Sequence, residues 1–106
     1  MAALKINSEQ FQSYLTGGTP ILVEYMAPWC MYCRRIGPAL DHISQQLEGK
    51  LVIAKLDIDE NEALADREQI EVVPTLVIYR DGKALGSIVA PDSKAKIDTF
   101  IQETLG

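Results

Sequence analysis

The stretch from residue 21 to residue 34, ILVEYMAPWCMYCR, decides the fold. Its first part, Ile21–Met26, is an almost continuous apolar run, which is the pattern of a central strand covered on both faces. From Cys30 to Leu47 apolar residues recur every three or four positions, which predicts a long amphipathic helix. The sequence therefore predicts a buried strand that leads into a long helix, with Cys30 and Cys33 at the junction.

Outside this stretch, strand and helix patterns alternate. Strands are predicted at residues 51–58, 75–79 and 84–89, and helices in a short segment capped by Ser8, at Glu62–Arg67, and from Asp92 or Ser93 to the C-terminal end. Asp81-Gly82 favours a tight hairpin between the last two strands, since both residues accept positive φ. The order predicts an α/β fold in a single domain, residues 1–106, with a mixed sheet of four to five strands flanked by four helices in three layers.

The composition excludes several classes of protein. The chain of 106 residues is long enough for one core, and ten Lys and Arg against fifteen Asp and Glu give a net charge of −5. This balance repels phosphate backbones and anionic lipids, so neither a nucleic-acid nor a membrane partner is expected. No secretory signal or membrane-spanning run is visible in the sequence, which favours a cytoplasmic protein. A monomer is expected.

The two cysteines are too close together for a structural cross-link. A disulfide that closes four residues removes only about 2 kcal/mol of denatured-state entropy. In a reducing compartment such a pair usually cycles between thiol and disulfide or binds a metal. The N-terminus of a helix stabilises a thiolate, which favours Cys30 as the nucleophile. Cys33, one turn further on, is then the cysteine that resolves the mixed disulfide.

Metal binding is the main alternative chemistry for this pair. C-x-x-C supplies half of a zinc site, and the remaining soft ligand in the sequence is the lone His42. No metal site within one chain is therefore predicted. A second reading of the sequence is a redox-gated interaction module, or a dimeric carrier that binds a metal or an iron–sulfur cluster between two chains.

Several landmarks, in this order, resemble the thioredoxin family over essentially the whole chain. They are Trp29-Cys30-x-x-Cys33 after the strand that holds Glu24, Pro38 in the following helix, residues 54–59 (AKLDID), Val73-Pro74-Thr75-Leu76, and Asp81-Gly82. The resemblance implies a sheet flanked by helices and reversible thiol–disulfide exchange with protein substrates. It also implies thioredoxin reductase as the usual electron donor and no cofactor beyond the redox-active cysteine pair.

The same resemblance implies a substrate surface. Pro74 would be a cis-proline that faces the cysteines, the backbone of Val73 would pair with an extended substrate segment, and Trp29 and Ala90 would line the contact. The sequence alone makes Pro74 unusual, because it interrupts an apolar run where a central strand does not tolerate proline. Without the resemblance, Pro74 could simply start a strand after a loop.

Glu24 and Lys55 are a lone acid and a lone base in apolar runs that should form neighbouring buried strands. An unpaired buried charge is costly, so each group is expected to shift its pKa or to pair with the other. The resemblance implies that the acid moves a proton to and from Cys33, although the family acid is usually Asp. A buried salt bridge without a catalytic role is the alternative.

Met31 and Tyr32 lie between the cysteines, where typical thioredoxins have Gly-Pro, and both are predicted to contact substrate. The hydroxyl of Tyr32 either donates to a sulfur or lies on the surface. Ala90-Pro91 stands where Gly-Ala is usual, so Ala90 is expected to narrow the groove and Met31 to make it more apolar.

Overall fold

The computed structural model describes residues 2–106, which form a five-stranded mixed sheet with helices on both faces. The strands are β1 (Leu4–Ile6), β2 (Ile21–Met26), β3 (Val52–Asp57), β4 (Thr75–Arg80) and β5 (Lys83–Val89), and the helices are α1 (Ser8–Leu15), α2 (Met31–Gln46), α3 (Glu62–Arg67) and α4 (Lys94–Leu105). The sheet order is β1-β3-β2-β4-β5. β3 runs parallel to β1 and β2, whereas β4 is antiparallel to β2 and β5. The predicted α/β fold class is confirmed.

The central strand β2 contributes to both core layers. Side chains alternate along a strand, so Val23 and Tyr25 enter one layer and Leu22 enters the other. The first layer is completed by side chains of α1 and α3, such as Phe11 and Leu64. The second layer contains the apolar stripes of α2 and α4, namely Ile36, Leu40, Ile43, Ile97 and Ile101. Helices on both faces keep β2 buried, and its carboxyl end delivers the chain to the cysteines.

The first helix is capped differently from the prediction. The N-cap is Asn7, not Ser8: the Asn7 side chain accepts a hydrogen bond from the Gln10 N–H at 2.9 Å. Gln10 Oε1 in turn accepts from the Asn7 N–H at 2.9 Å, which completes a capping box. Ser8 bonds to Asn61 through its N–H and its hydroxyl. Ser8 therefore joins α1 to the loop that precedes α3.

We expect Asn7→Ala to lower the free energy of unfolding by about 1 kcal/mol, because the Gln10 N–H loses its acceptor, Asn7 Oδ1. Urea unfolding followed by circular dichroism measures the change. Gln12→Ala, on the exposed face of the same helix, is the matched control and should change stability by less than about 0.5 kcal/mol. Equal effects of the two substitutions would show that the capping box does not stabilise the helix.

Two features of the fold position the cysteines. β2 ends at Met26, and Cys30 becomes the N-cap of α2 after a short connection. α2 continues through Pro38 as far as Gln46.

The predicted hairpin between β4 and β5 is also present, with positive φ at Asp81 (54°) and Gly82 (78°).

Candidate active site

The cysteine pair lies at the N-terminal end of α2. Cys30 and Cys33 are joined as a disulfide, with their Cα atoms 5.3 Å apart. The Cys33 N–H donates a hydrogen bond to Cys30 Sγ at 3.1 Å, so the sulfur itself caps the helix. The exposed fractions of the two residues, 6% and 4%, do not separate a nucleophile from a resolving cysteine. The difference between them lies in their surroundings: the Cys30 sulfur accepts a hydrogen bond from a helix N–H, and Cys33 lines a cavity that is partly open to solvent.

Exposed apolar side chains flank the pair. Trp29 and Met31 are 67% and 68% exposed, which is unusual for large apolar residues. The indole N–H of Trp29 donates to Asp59 Oδ2 at 2.8 Å, which restrains the ring. Asp59 was not predicted as a site residue, although it belongs to the AKLDID run. The surface beside the disulfide is therefore apolar, and its largest side chain is anchored.

The Val73–Pro74 segment forms the next part of the site. The Val73–Pro74 peptide bond is cis, and Pro74 is buried immediately before β4. Val73 packs against the small cluster that Ala27, Cys30 and Cys33 form. Pro74 precedes the strand, so its missing N–H does not interrupt the sheet. The cis bond agrees with the resemblance, and the structure in addition brings the Val73 side chain to the cysteines.

From the sequence, the Tyr32 hydroxyl was expected either to donate to a sulfur or to lie on the surface, and it does neither. Tyr32 is half-buried, and its hydroxyl donates to the Pro91 carbonyl oxygen at 3.1 Å. The hydroxyl is thus bonded to the turn between β5 and α4. Ala90, in the same turn, has a φ of 45°, and its N–H donates to the Pro74 carbonyl at 2.9 Å.

We expect Ala90→Gly to raise the free energy of unfolding by about 0.5–1 kcal/mol. A left-handed conformation costs a residue with a Cβ about 1–2 kcal/mol, and the greater chain entropy of glycine offsets part of that gain. Urea unfolding midpoints measure the difference. Ala84→Gly, at an exposed position of β5 with ordinary φ, should instead destabilise the protein by about 0.5–1 kcal/mol. Two substitutions that change stability in the same direction would contradict strain at Ala90.

Glu24 is a carboxyl group inside the second core layer. It is 1% exposed, and its Oε2 has no hydrogen-bond partner among residues 2–106. Lys55 is its register partner on β3, but the described residues form no ion pair between the two, and Lys55 is only half-buried. Burial raises the pKa of Glu24 to about 7, with Lys55 opposing the rise and Asp41 adding to it. Of the two predicted outcomes, Glu24 shifts its pKa; the direct salt bridge is not formed.

A cavity of about 330 Å³, partly open to solvent, is lined by both this acid and Cys33. Its lining includes Glu24, Cys33, Asp41 and Lys55. A volume of this size admits several water molecules, and the lining offers them polar partners. Asp41 was missed in the sequence, although its four-residue spacing from Gly37 and Cys33 places it on the same face of α2. The buried carboxyl and Cys33 therefore line the same water-accessible space.

The remaining candidates from the sequence do not join the site. His42 is exposed on α2. Within residues 2–106, no group of three or more His, Cys, Asp or Glu side chains is arranged to hold a metal ion. None of the helices in the described part of the chain is long and apolar enough to cross a membrane.

The fold and the site define a class. A disulfide at a helix N-terminus, beside an exposed apolar rim and connected by a cavity to a buried acid, is suited to thiol–disulfide exchange. The Thioredoxin family model matches residues 2–103. Thioredoxin 1 of Nostoc is 34% identical over 105 residues, which cover 98% of each chain. Thioredoxins of Synechocystis and Pseudomonas aeruginosa are 36% and 34% identical over 94 residues, covering 89% of this chain and 88% and 87% of theirs.

This chain belongs to the thioredoxin family, and it is a thiol–disulfide oxidoreductase. The resemblance stated from the sequence is confirmed.

Proposed function

We propose that the protein is a protein-disulfide reductase in which Cys30 is the nucleophile and Cys33 the resolving cysteine. The observation that carries this assignment is the hydrogen bond from the Cys33 N–H to Cys30 Sγ at the start of α2. In the reduced protein the same N–H group and the positive end of the helix dipole stabilise a thiolate at Cys30. Cys30 is therefore the sulfur that attacks.

The reaction proceeds by two exchanges. The Cys30 thiolate attacks a substrate disulfide and forms a mixed disulfide, and one substrate sulfur leaves as a thiolate. Cys33 then gives up its proton and attacks the Cys30 sulfur, which releases the second substrate thiolate. Two electrons pass to the substrate, whose thiolates take up protons, and the Cys30–Cys33 disulfide is left behind.

Glu24 is the proposed proton carrier for Cys33. A carboxyl with a pKa of about 7 is close to half-protonated at neutral pH, so it both accepts and returns a proton. Its side chain and Cys33 line the same cavity, which provides a path through water. Lys55 lines that cavity too, and its charge keeps the pKa of Glu24 from rising further.

Protein substrates are proposed to bind in an extended form beside Val73. The N–H of Ala90 already donates to the Pro74 carbonyl, so the backbone of Val73 is the part of this segment that a substrate strand would meet. The proposed contact surface consists of Trp29, Met31, Tyr32, Val73, Pro74 and Ala90. The exposed apolar groups of Trp29 and Met31 favour substrates with apolar residues next to the disulfide.

A reductase must be reduced again after each cycle. We infer a donor of the thioredoxin reductase type, and a reducing cytoplasm as the place of action. The chain is proposed to act as one domain and as a monomer, with the cysteine pair as its only redox group.

The test is reduction of insulin by the protein with dithiothreitol as donor, together with metal analysis of the purified protein. The proposal expects rapid turnover and no stoichiometric zinc or iron. The double variant Cys30→Ser, Cys33→Ser is the control and should not exceed the rate of dithiothreitol alone. Wild-type turnover at that background rate, or one metal ion per two chains, would favour a metal carrier or an interaction module.

A further inference from the structure

We propose that Tyr32 is a specificity-determining positioning residue. Its hydroxyl, bonded to the Pro91 carbonyl, holds the turn between β5 and α4 against α2 and so fixes one wall of the groove that receives protein disulfides. The inference rests on the proposed reductase function and deepens it. It assigns the substrate preference to a contact between a residue of the cysteine motif and a distant turn.

The first support is the position of Tyr32. It packs against the cluster that contains the two cysteines and also against the second core layer. Its hydroxyl bonds to a residue 59 positions away in the chain, and that residue, Pro91, is buried. A hydroxyl of a half-buried tyrosine that bonds to the buried Pro91 restrains that part of the turn more than it interacts with solvent.

The second support is the geometry of the turn. Ala90 has a φ of 45°, a conformation that a residue with a Cβ keeps only when its surroundings enforce it. Two hydrogen bonds restrain this turn from opposite sides. The N–H of Ala90 donates to Pro74, and the carbonyl of Pro91 accepts from Tyr32. The turn is thus joined both to the segment that contains Val73 and to the helix that contains the cysteines.

These contacts indicate which substrates depend on Tyr32. An extended protein segment that binds against Val73 also contacts the turn that contains Ala90 and Pro91. Its affinity therefore depends on whether that turn is already held in place before the substrate binds. A small disulfide without a peptide chain reaches Cys30 without contacting the turn. Loss of the hydroxyl should therefore weaken binding of protein substrates more than it slows exchange with a small disulfide.

The test uses the pre-reduced protein in single-turnover oxidation by insulin and by hydroxyethyl disulfide. Tyr32→Phe keeps the ring and removes the tether. We expect the insulin concentration for half-saturation to rise 3–10-fold, equivalent to about 0.7–1.4 kcal/mol, and the limiting rate to change by a smaller factor. The fold-increase in the half-saturation concentration should be at least three times larger for insulin than for hydroxyethyl disulfide. The backbone amides of Ala90, Asp92 and Ser93 should exchange hydrogen faster in the variant, while Pro91 has no amide hydrogen to follow.

Tyr14→Phe, which removes the hydroxyl of a half-buried tyrosine on α1, is the matched control. It should leave the half-saturation concentrations, the limiting rates and the hydrogen exchange of the turn unchanged. Equal half-saturation concentrations for the two variants would overturn the proposal. An equal loss with both substrates would also overturn it, because the hydroxyl would then act on the sulfur chemistry. Unchanged hydrogen exchange at Ala90, Asp92 and Ser93 would refute the restraint of the turn by Tyr32. A wild-type protein that reacts with neither disulfide would instead refute the reductase function.

Discussion

Cys33→Ser is expected to stop the reaction at the mixed disulfide, with substrate covalently attached to Cys30. Serine has nearly the size of cysteine but cannot attack the Cys30 sulfur, so the second exchange has no nucleophile. Turnover of insulin should fall to the dithiothreitol background. Non-reducing electrophoresis and mass spectrometry should show an adduct that approaches one substrate chain per protein and is released by excess thiol.

Cys30→Ser is the matched control. It should lose turnover as completely but form no adduct. The reason is that Cys30 Sγ, which accepts the hydrogen bond from the Cys33 N–H, is the sulfur that attacks the substrate. Adducts of equal yield in the two variants would contradict the assignment of roles. An adduct confined to Cys30→Ser would reverse it.

The second large effect is expected for Glu24→Leu, which should raise the free energy of unfolding at pH 9 by about 3 kcal/mol. Burial raises the pKa of Glu24 from 4.5 to about 7, and each unit of that difference corresponds to about 1.4 kcal/mol. As the pH rises above 4.5, the unfolded chain releases this proton first, so the folded state loses stability until the pH exceeds 7. Leucine removes this loss and fills a similar volume.

Urea unfolding at pH 5 and pH 9 isolates the contribution of Glu24. The advantage of Glu24→Leu over wild type should be about 2.5 kcal/mol larger at pH 9 than at pH 5, because the carboxyl of the unfolded chain is already partly ionised at pH 5. Glu103→Gln, an exposed carboxyl on α4, is the control and should show no comparable change. An advantage that is independent of pH would show that Glu24 does not titrate as a buried acid. Insulin turnover by Glu24→Leu should be slower than that of wild type near pH 7, because the proton carrier is lost.

The strong strands and the long helix follow from the sequence because their signals are local. β2 and α3 have the predicted bounds, and the other predicted strands differ by one or two residues at their ends. β1 was not predicted: it has three residues with Lys5 in the middle, and its pairing with β3 defines it as a strand. The cap at Asn7 could have been found, since Asn7-x-x-Gln10 is a capping-box pattern.

The chemistry of the site was predictable where it depends on spacing. The cysteine spacing and the apolar runs predicted Cys30 at the N-terminus of a helix and Glu24 and Lys55 on adjacent strands, and the structure shows both. Whether an acid and a base on adjacent strands touch depends on side-chain reach, which no sequence pattern encodes. The partner of the Tyr32 hydroxyl lies 59 residues away, so only the folded chain reveals that contact.

The most direct test of the reductase assignment is an equilibrium redox titration of the Cys30–Cys33 couple against dithiothreitol and glutathione. Strongly oxidising pairs owe their potential to extra stabilisation of the reduced form. A reductase instead needs a potential near that of thioredoxin, so the assignment predicts a single two-electron transition at about −270 mV. A transition above about −200 mV, or no transition at all, would contradict a reductase.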